Sequence, residues 1–153
     1  MTEPSRNPAP ARRRLLVLSP FEAWPLWQGT VVRTFFLTRH LAQSNEVWLA
    51  ARSGKEEPPA EHPAAEMIYN HPNRYAQLFN PPFLWQLWRL VRRQRISTIV
   101  LSQITGGIHA LLLHGLTGAK LVFDNHNVEY LRFRRMGVKL WPLVMLFEGL
   151  LCH

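Results

Sequence analysis

Leu15-Leu16-Val17-Leu18-Ser19-Pro20 is a continuous apolar run closed by a turn-prone pair, the pattern of a strand buried on both faces. Downstream, Thr30 to Gln43 places Val31, Phe35, Leu37, Leu41 and Ala42 at helical spacing, with Thr30 as the expected N-cap. Ser44-Asn45 ends that helix, and Val47-Trp48-Leu49-Ala50-Ala51 reads as a second buried strand. Polar, Pro-rich 53–66 is expected to be a surface loop. A third short strand follows at Met67-Ile68-Tyr69, and Pro81-Pro82 opens a helix from Phe83 to about Gln94. Ile99-Val100-Leu101 is a further strand. Ile108 to Leu116, apolar nearly all round, reads as a helix packed under other layers, and Leu121-Val122-Phe123 as the last strand. Strands alternating with helices predict an α/β fold, a doubly wound parallel sheet covered on both faces.

The chain of 153 residues has room for one domain, expected over residues 14–153 behind a disordered tail at 1–13. With 47% hydrophobic and 18% charged residues it is neither disordered nor collagen-like. A single cysteine, Cys152, excludes an internal disulfide framework and suits a reducing, cytoplasmic location. The apolar run after Arg12-Arg13-Arg14 turns too quickly into Pro20, Glu22 and Pro25 for a secretory signal. Leu140 to Leu151, apolar apart from Glu148, falls short of the ~20 residues that span a bilayer.

In such sheets ligands bind beyond the carboxyl ends of the strands, so the residues that matter are Ser19 to Gly29, Ser102 to Gly107 and Asp124 to Glu129. No G-x-G-x-x-G follows the first strand and no P-loop motif occurs, which removes ordinary dinucleotide-binding and P-loop readings. Gly29, at the mouth of the first helix, has no side chain to keep a phosphate from the backbone N–H groups and the helix dipole.

Arg14-Leu-Leu-Val-Leu-Ser-Pro-Phe21, Gly29, the arginine-bearing helix closing in Leu41-Ala42 and Glu46-Val47-Trp48-Leu49 together resemble the opening of family 4 glycosyltransferases of the GT-B fold. Lys120-Leu-Val-Phe-Asp-Asn-His-Asn-Val-Glu129 is similar to the segment that family carries after its fifth strand, and Glu148 lies where a following helix often has a glutamate. The resemblance runs from Arg14 to His153. One departure is Gln28-Gly29 where the family usually has a Gly-Gly pair. The other is the end of the chain at His153, inside an expected helix, so that the sequence resembles the acceptor-side half, truncated before a C-terminal donor domain.

The resemblance implies transfer of a sugar from a nucleotide-sugar donor to the hydroxyl of a sugar or lipid-linked acceptor, with retained configuration and no cofactor or metal. It also implies that the isolated half is inactive. It points to His126 as the catalytic-site side chain near the sugar and to Gln28 and Gly29 beside the departing diphosphate. Asp124, Asn127 and Glu129 are expected to support their loop, Asp124 by accepting from the loop's own amides and Glu129 by capping the short helix that carries Arg132, Arg134 and Arg135.

The formal charge of +8 invites other readings. In the Phe83 to Arg95 segment the apolar residues fall on one side and Arg89, Arg92 and Arg93 on the other, with Trp85 at the boundary. That pattern fits a core-facing helix and also a face on an anionic membrane, peripheral on the inner leaflet. A non-enzymatic basic module binding anionic lipid is therefore the alternative to the enzyme half, and nucleic acid a weaker one, carried by charge alone. His109 and His114, five apart, miss the spacing that puts two ligands on one helical face, and no metal site is expected.

Overall fold

The computed structural model describes residues 12–52, 54, 62–70, 73, 78–125 and 127–152. Strands β1 (Arg14–Glu22), β2 (Glu46–Arg52), β3 (Glu66–Asn70), β4 (Thr98–Leu101) and β5 (Lys120–Phe123) form an all-parallel sheet in the order β3-β2-β1-β4-β5. The helices are α1 (Gly29–Ala42), α2 (Pro81–Arg93), α3 (Gly107–Thr117), α4 (Glu129–Arg135) and α5 (Trp141–Cys152), with a 3-10 turn at Ile104–Gly106 before α3. The expected Rossmann-like α/β fold is the fold observed.

Because side chains alternate across a strand, each central strand feeds two cores. Leu16, Leu18, Trp48, Ala50, Ile99 and Leu101 face α2, α3 and α5. Leu15, Val17, Val47, Leu49 and Val100 face α1 through Leu37, Leu41 and Ala42. The unbroken apolar runs of β1 and β2 follow from this two-sided burial. Leu16, Leu49, Ile99 and Leu101 are at most 1% exposed, so truncating any of them to alanine would cost about 2–5 kcal/mol.

Several boundaries differ from the sequence expectation. β1 continues past Ser19-Pro20 to Glu22, with its register to β2 shifting between Leu18 and Glu22. Pro20 lies in that irregular stretch, where the ladder does not require its missing N–H. Thr30 is not the N-cap of α1: Gln28 holds the extended conformation before the helix, and the Val32 N–H already bonds the Gln28 carbonyl at 3.0 Å. α2 starts two residues earlier than Phe83, with Pro81 and Pro82 in its first turn and Asn80 as N-cap accepting from the Phe83 N–H.

Helix α3 is not enclosed all round. Gly107, His109, Ala110 and Leu113 are buried, whereas Ile108, Leu112 and Leu116 form an outer stripe at four-residue spacing, because a helix in an outer layer meets the sheet with one face. Helix α5 buries Glu148 and Leu151 and exposes Leu143, Leu146 and Leu150. Among the described residues no helix is long and apolar enough to cross a membrane. The tail at 1–11 and most of the 53–66 loop lie outside the described residues; Arg12 and Arg13 are exposed, and Glu66 already belongs to β3.

Candidate functional site

The strand order reverses between β1 and β4, the position at which such sheets open a crevice at their carboxyl edge. After β1 the chain passes to α1 on one face, and after β4 it passes to α3 on the other. Ser19, Ser102 and Gln103 are buried polar residues at this edge. The Ser102 N–H and hydroxyl both donate to the Leu18 carbonyl, at 3.0 and 3.3 Å, tying the two strand ends together.

Gly29 opens α1 with no neighbour inside 4 Å of where a Cβ would stand, and its φ is not positive. The fold therefore does not require glycine there. Gln28 precedes it with no side-chain capping bond, and no acidic side chain occupies the first turn, which leaves the amides at the start of α1 without a carboxylate of their own helix.

One turn into α1, Arg33 makes a forked pair with Asp124 just after β5: Nη2 donates to Oδ1 at 2.7 Å and Nε to Oδ2 at 3.1 Å. Among the described residues Asp124 thus binds a guanidinium from the first helix, whereas the sequence had suggested the amides of its own loop. A planar fork meeting a carboxylate provides direction as well as charge. The pair raises the Arg33 pKa, by hydrogen bonding first and charge second. With side chains 50% and 23% exposed, it contributes at most about 1 kcal/mol; its consequence is positional, joining the α1 entrance to the β5 loop.

The loop after β5 is held from below by α5. Glu148, 5% exposed, accepts from Asn125 Nδ2, from the Glu129 N–H at 3.3 Å and from the Tyr130 N–H at 3.1 Å. The last two are the first amides of α4, whose own N-cap, Val128, has no side chain able to cap. Glu148 therefore caps α4 from another helix, the role the sequence had suggested for Glu129. Glu129 itself is buried, with Oε2 3.6 Å from Arg132 Nη1 and Oε1 without a hydrogen-bond partner among the described residues. Among the described residues Asn125, and not Asn127, bonds Glu148 through its side chain; Asn127 is exposed. His126 lies outside the described residues. Asp124 and Glu129 have separate partners, Arg33 and Arg132.

A second polar cluster escaped the sequence reading. His109, 1% exposed, accepts the Asn80 N–H on Nε2 at 3.0 Å, and Asn80 Nδ2 donates to Asn70 Oδ1 at 2.7 Å. The rings of Phe83 and Phe79 flank the imidazole, and a small cavity of about 10 Å³ beside it is lined by Ser19, Arg52, Asn70 and Gly106. Arg52 is held there by Glu22 at 3.0 Å. In sequence His109 is one polar residue inside an apolar run, and nothing local connects it with Asn70 and Asn80.

Burial lowers the pKa of His109, and the acceptor role requires Nε2 to carry no proton. Burial lowers His62 as well. Folded-state values below the unfolded one give a contribution that is complete above the unfolded pKa of about 6.5 and lost as pH falls through the folded values. Thermal midpoints should thus drop between pH 7 and 5, and His109→Gln should flatten the dependence while lowering the midpoint at pH 7. A His109→Gln profile parallel to wild type would place the acid sensitivity elsewhere.

The α2 residues singled out in the sequence divide cleanly. Phe83, Leu87, Leu90 and Val91 are buried in the core, so the apolar stripe faces the sheet and is not offered to lipid. Trp85, Arg89, Arg92 and Arg93 are exposed. His114 Nδ1 lies 2.8 Å from the Ala119 carbonyl, and no group of three metal-ligating side chains exists among the described residues.

Comparison with curated proteins finds no match. The profile of Glycosyltransferase Family 4 matches residues 27–151, from the entrance of α1 to the last turn of α5. That span contains the Gln28-Gly29 entrance, the Arg33–Asp124 fork and the Glu148 cap, and the chain belongs to glycosyltransferase family 4.

Proposed function

We propose that this domain is the acceptor-side half of a GT-B glycosyltransferase, which works with a donor-side domain to move a sugar from a nucleotide-sugar to an acceptor hydroxyl. The observation that carries the reading is the family match across residues 27–151 on a sheet whose switch-point edge has an uncrowded helix entrance at Gly29. In this reading the amides beside Gln28 and Gly29 meet the departing diphosphate, where bonds that tighten in the transition state lower the barrier. His126, two residues beyond the Asp124 held by Arg33, contacts the transferred sugar. A sugar or lipid-linked hydroxyl approaches from the crevice side.

Most nucleotide contacts then belong to the other half. Calorimetry of the 153-residue chain against UDP-, GDP- and ADP-sugars should find no site tighter than about 10 μM, or roughly −7 kcal/mol, and no transfer. Tighter binding, or turnover, would overturn the division of labour. In a two-domain form, Gly29→Ala should keep or raise stability, since its methyl meets nothing, and lower turnover, since it enters the diphosphate's space. His126→Ala should lower turnover more than the melting temperature.

A further inference from the structure

The outer surface of α2 and the edge strand β3 enclose an open groove of about 640 Å³, lined by Trp85, Trp88, Arg89, Arg92, Arg93 and Glu66 among others. Its cations are prearranged. The Arg89 guanidinium lies 4.6 Å from the centroid of Trp85 and that of Arg92 lies 5.7 Å from the centroid of Trp88, each side chain laid along an indole. None of the three arginines is in an ion pair among the described residues, whereas Arg14, Arg33, Arg52 and Arg132 all are. The lining carries three arginines against one carboxylate, Glu66. Trp85 is 54% exposed, a large amphipathic ring at the rim of a basic groove.

The groove is also placed away from the crevice. α2 begins at the carboxyl edge, where Asn80 meets Asn70 and His109, and ends at the amino edge, where the Gln94 carbonyl accepts from Arg14 Nη1 at 3.0 Å. The arginines occupy the second half of that path. A phosphate bound there would stand on the flank of the sheet, apart from the diphosphate entrance at Gly29.

We infer that this groove is a docking surface for anionic phospholipid, in which Arg89, Arg92 and Arg93 meet headgroup phosphates and Trp85 enters the interfacial layer. The contact is a surface one: the apolar stripe of α2 stays in the core, so only the indole and the arginine stems reach the headgroup region. An open, uncompensated array with its guanidiniums supported on indoles complements a plane of phosphates. The inference goes beyond the proposed function and does not depend on it, because the groove needs neither a donor nor an acceptor to bind.

Sedimentation of the full chain with vesicles tests it. Vesicles containing phosphatidylglycerol should carry the protein down at low salt, pure phosphatidylcholine much less, and release should follow as salt shortens the screening length from about 10 Å at 0.1 M to about 3 Å at 1 M. R89Q/R92Q/R93Q, at exposed positions, should leave the melting temperature in place and weaken partitioning roughly 100-fold. R12Q/R13Q/R39Q removes the same charge from other exposed positions and should change partitioning about threefold or less. Trp85→Phe should abolish most of the vesicle-induced blue shift of tryptophan emission. Equal losses in the two triple variants would assign binding to net charge and overturn the inference. Equal binding to neutral vesicles would assign it to exposed apolar residues such as those of α5, and displacement by millimolar inorganic pyrophosphate would assign the groove to a soluble phosphate; either result overturns it.

Discussion

Glu148→Ala should cost about 3–5 kcal/mol, a fall in melting temperature of roughly 10 °C. The carboxylate is 5% exposed and receives three donors: Asn125 Nδ2 and the Glu129 and Tyr130 N–H groups. Each bond to a charged group is worth about 1.5–3 kcal/mol, and the sum is not additive because the donors share one acceptor. Removal leaves two helix-start amides that Val128 has no side chain to satisfy. Glu148→Gln keeps one acceptor oxygen but turns an amide NH2 toward a donor, so it should lose roughly half as much. Denaturant titration gives the size of the effect, and hydrogen exchange at Glu129 and Tyr130 gives its location. A loss below about 1 kcal/mol with unchanged exchange would show that α4 is capped in some other way.

The second large effect is a contrast within one helix. Gly107 and Gly115 both lie in α3, Gly107 at its first position and Gly115 inside it, where replacing glycine by alanine gains about 1 kcal/mol in intrinsic propensity. A Cβ at Gly115 meets nothing within 4 Å, so Gly115→Ala should be stabilising by about that amount. At Gly107 it would stand 2.7 Å from Phe147 Cε1 and 2.9 Å from Leu151 Cδ1, both on α5. Overpacking costs about 1–3 kcal/mol, and the Phe147 ring has little room because Leu151 shares the contact. Gly107→Ala should therefore be destabilising, and the two variants should differ by about 2–4 kcal/mol with opposite signs. Gly107→Val should lose more. Matched denaturation curves decide it, and a stabilised Gly107→Ala protein would mean that α5 does not rest on the start of α3.

Both effects act on the same feature, the seat of α5. Through Glu148 that helix holds the loop after β5, and through Phe147 and Leu151 it closes on α3 beside the strand-end crevice. Variants in α5 therefore perturb the candidate site without touching a ligand. Their catalytic effects should be compared with stability before any role in chemistry is assigned.

The sequence alone determined the sheet. Runs such as Leu15 to Leu18 and Val47 to Ala51 are apolar at every position, which two-sided burial demands, and the intervening helical periodicities leave a parallel arrangement as the way to connect them. The Asp124 to Glu129 segment, Gly29 and Glu148 were likewise visible as marks of the family, because their signals are local in the chain. Partnership was not visible. Arg33 and Asp124 are 91 residues apart, His109 and Asn80 are 29 apart, and Glu148 reaches back 18 residues to Tyr130. Nothing in the sequence near Asp124 says whether its carboxylate turns to its own amides or to a guanidinium from α1, and the helical spacing of α2 fits lipid as well as core. Those choices depend on which elements the crossovers bring together. Packing decided them: α1 against one sheet face placed Arg33 within reach of β5, and α2 against the other buried its apolar stripe and left three arginines and Trp85 outside.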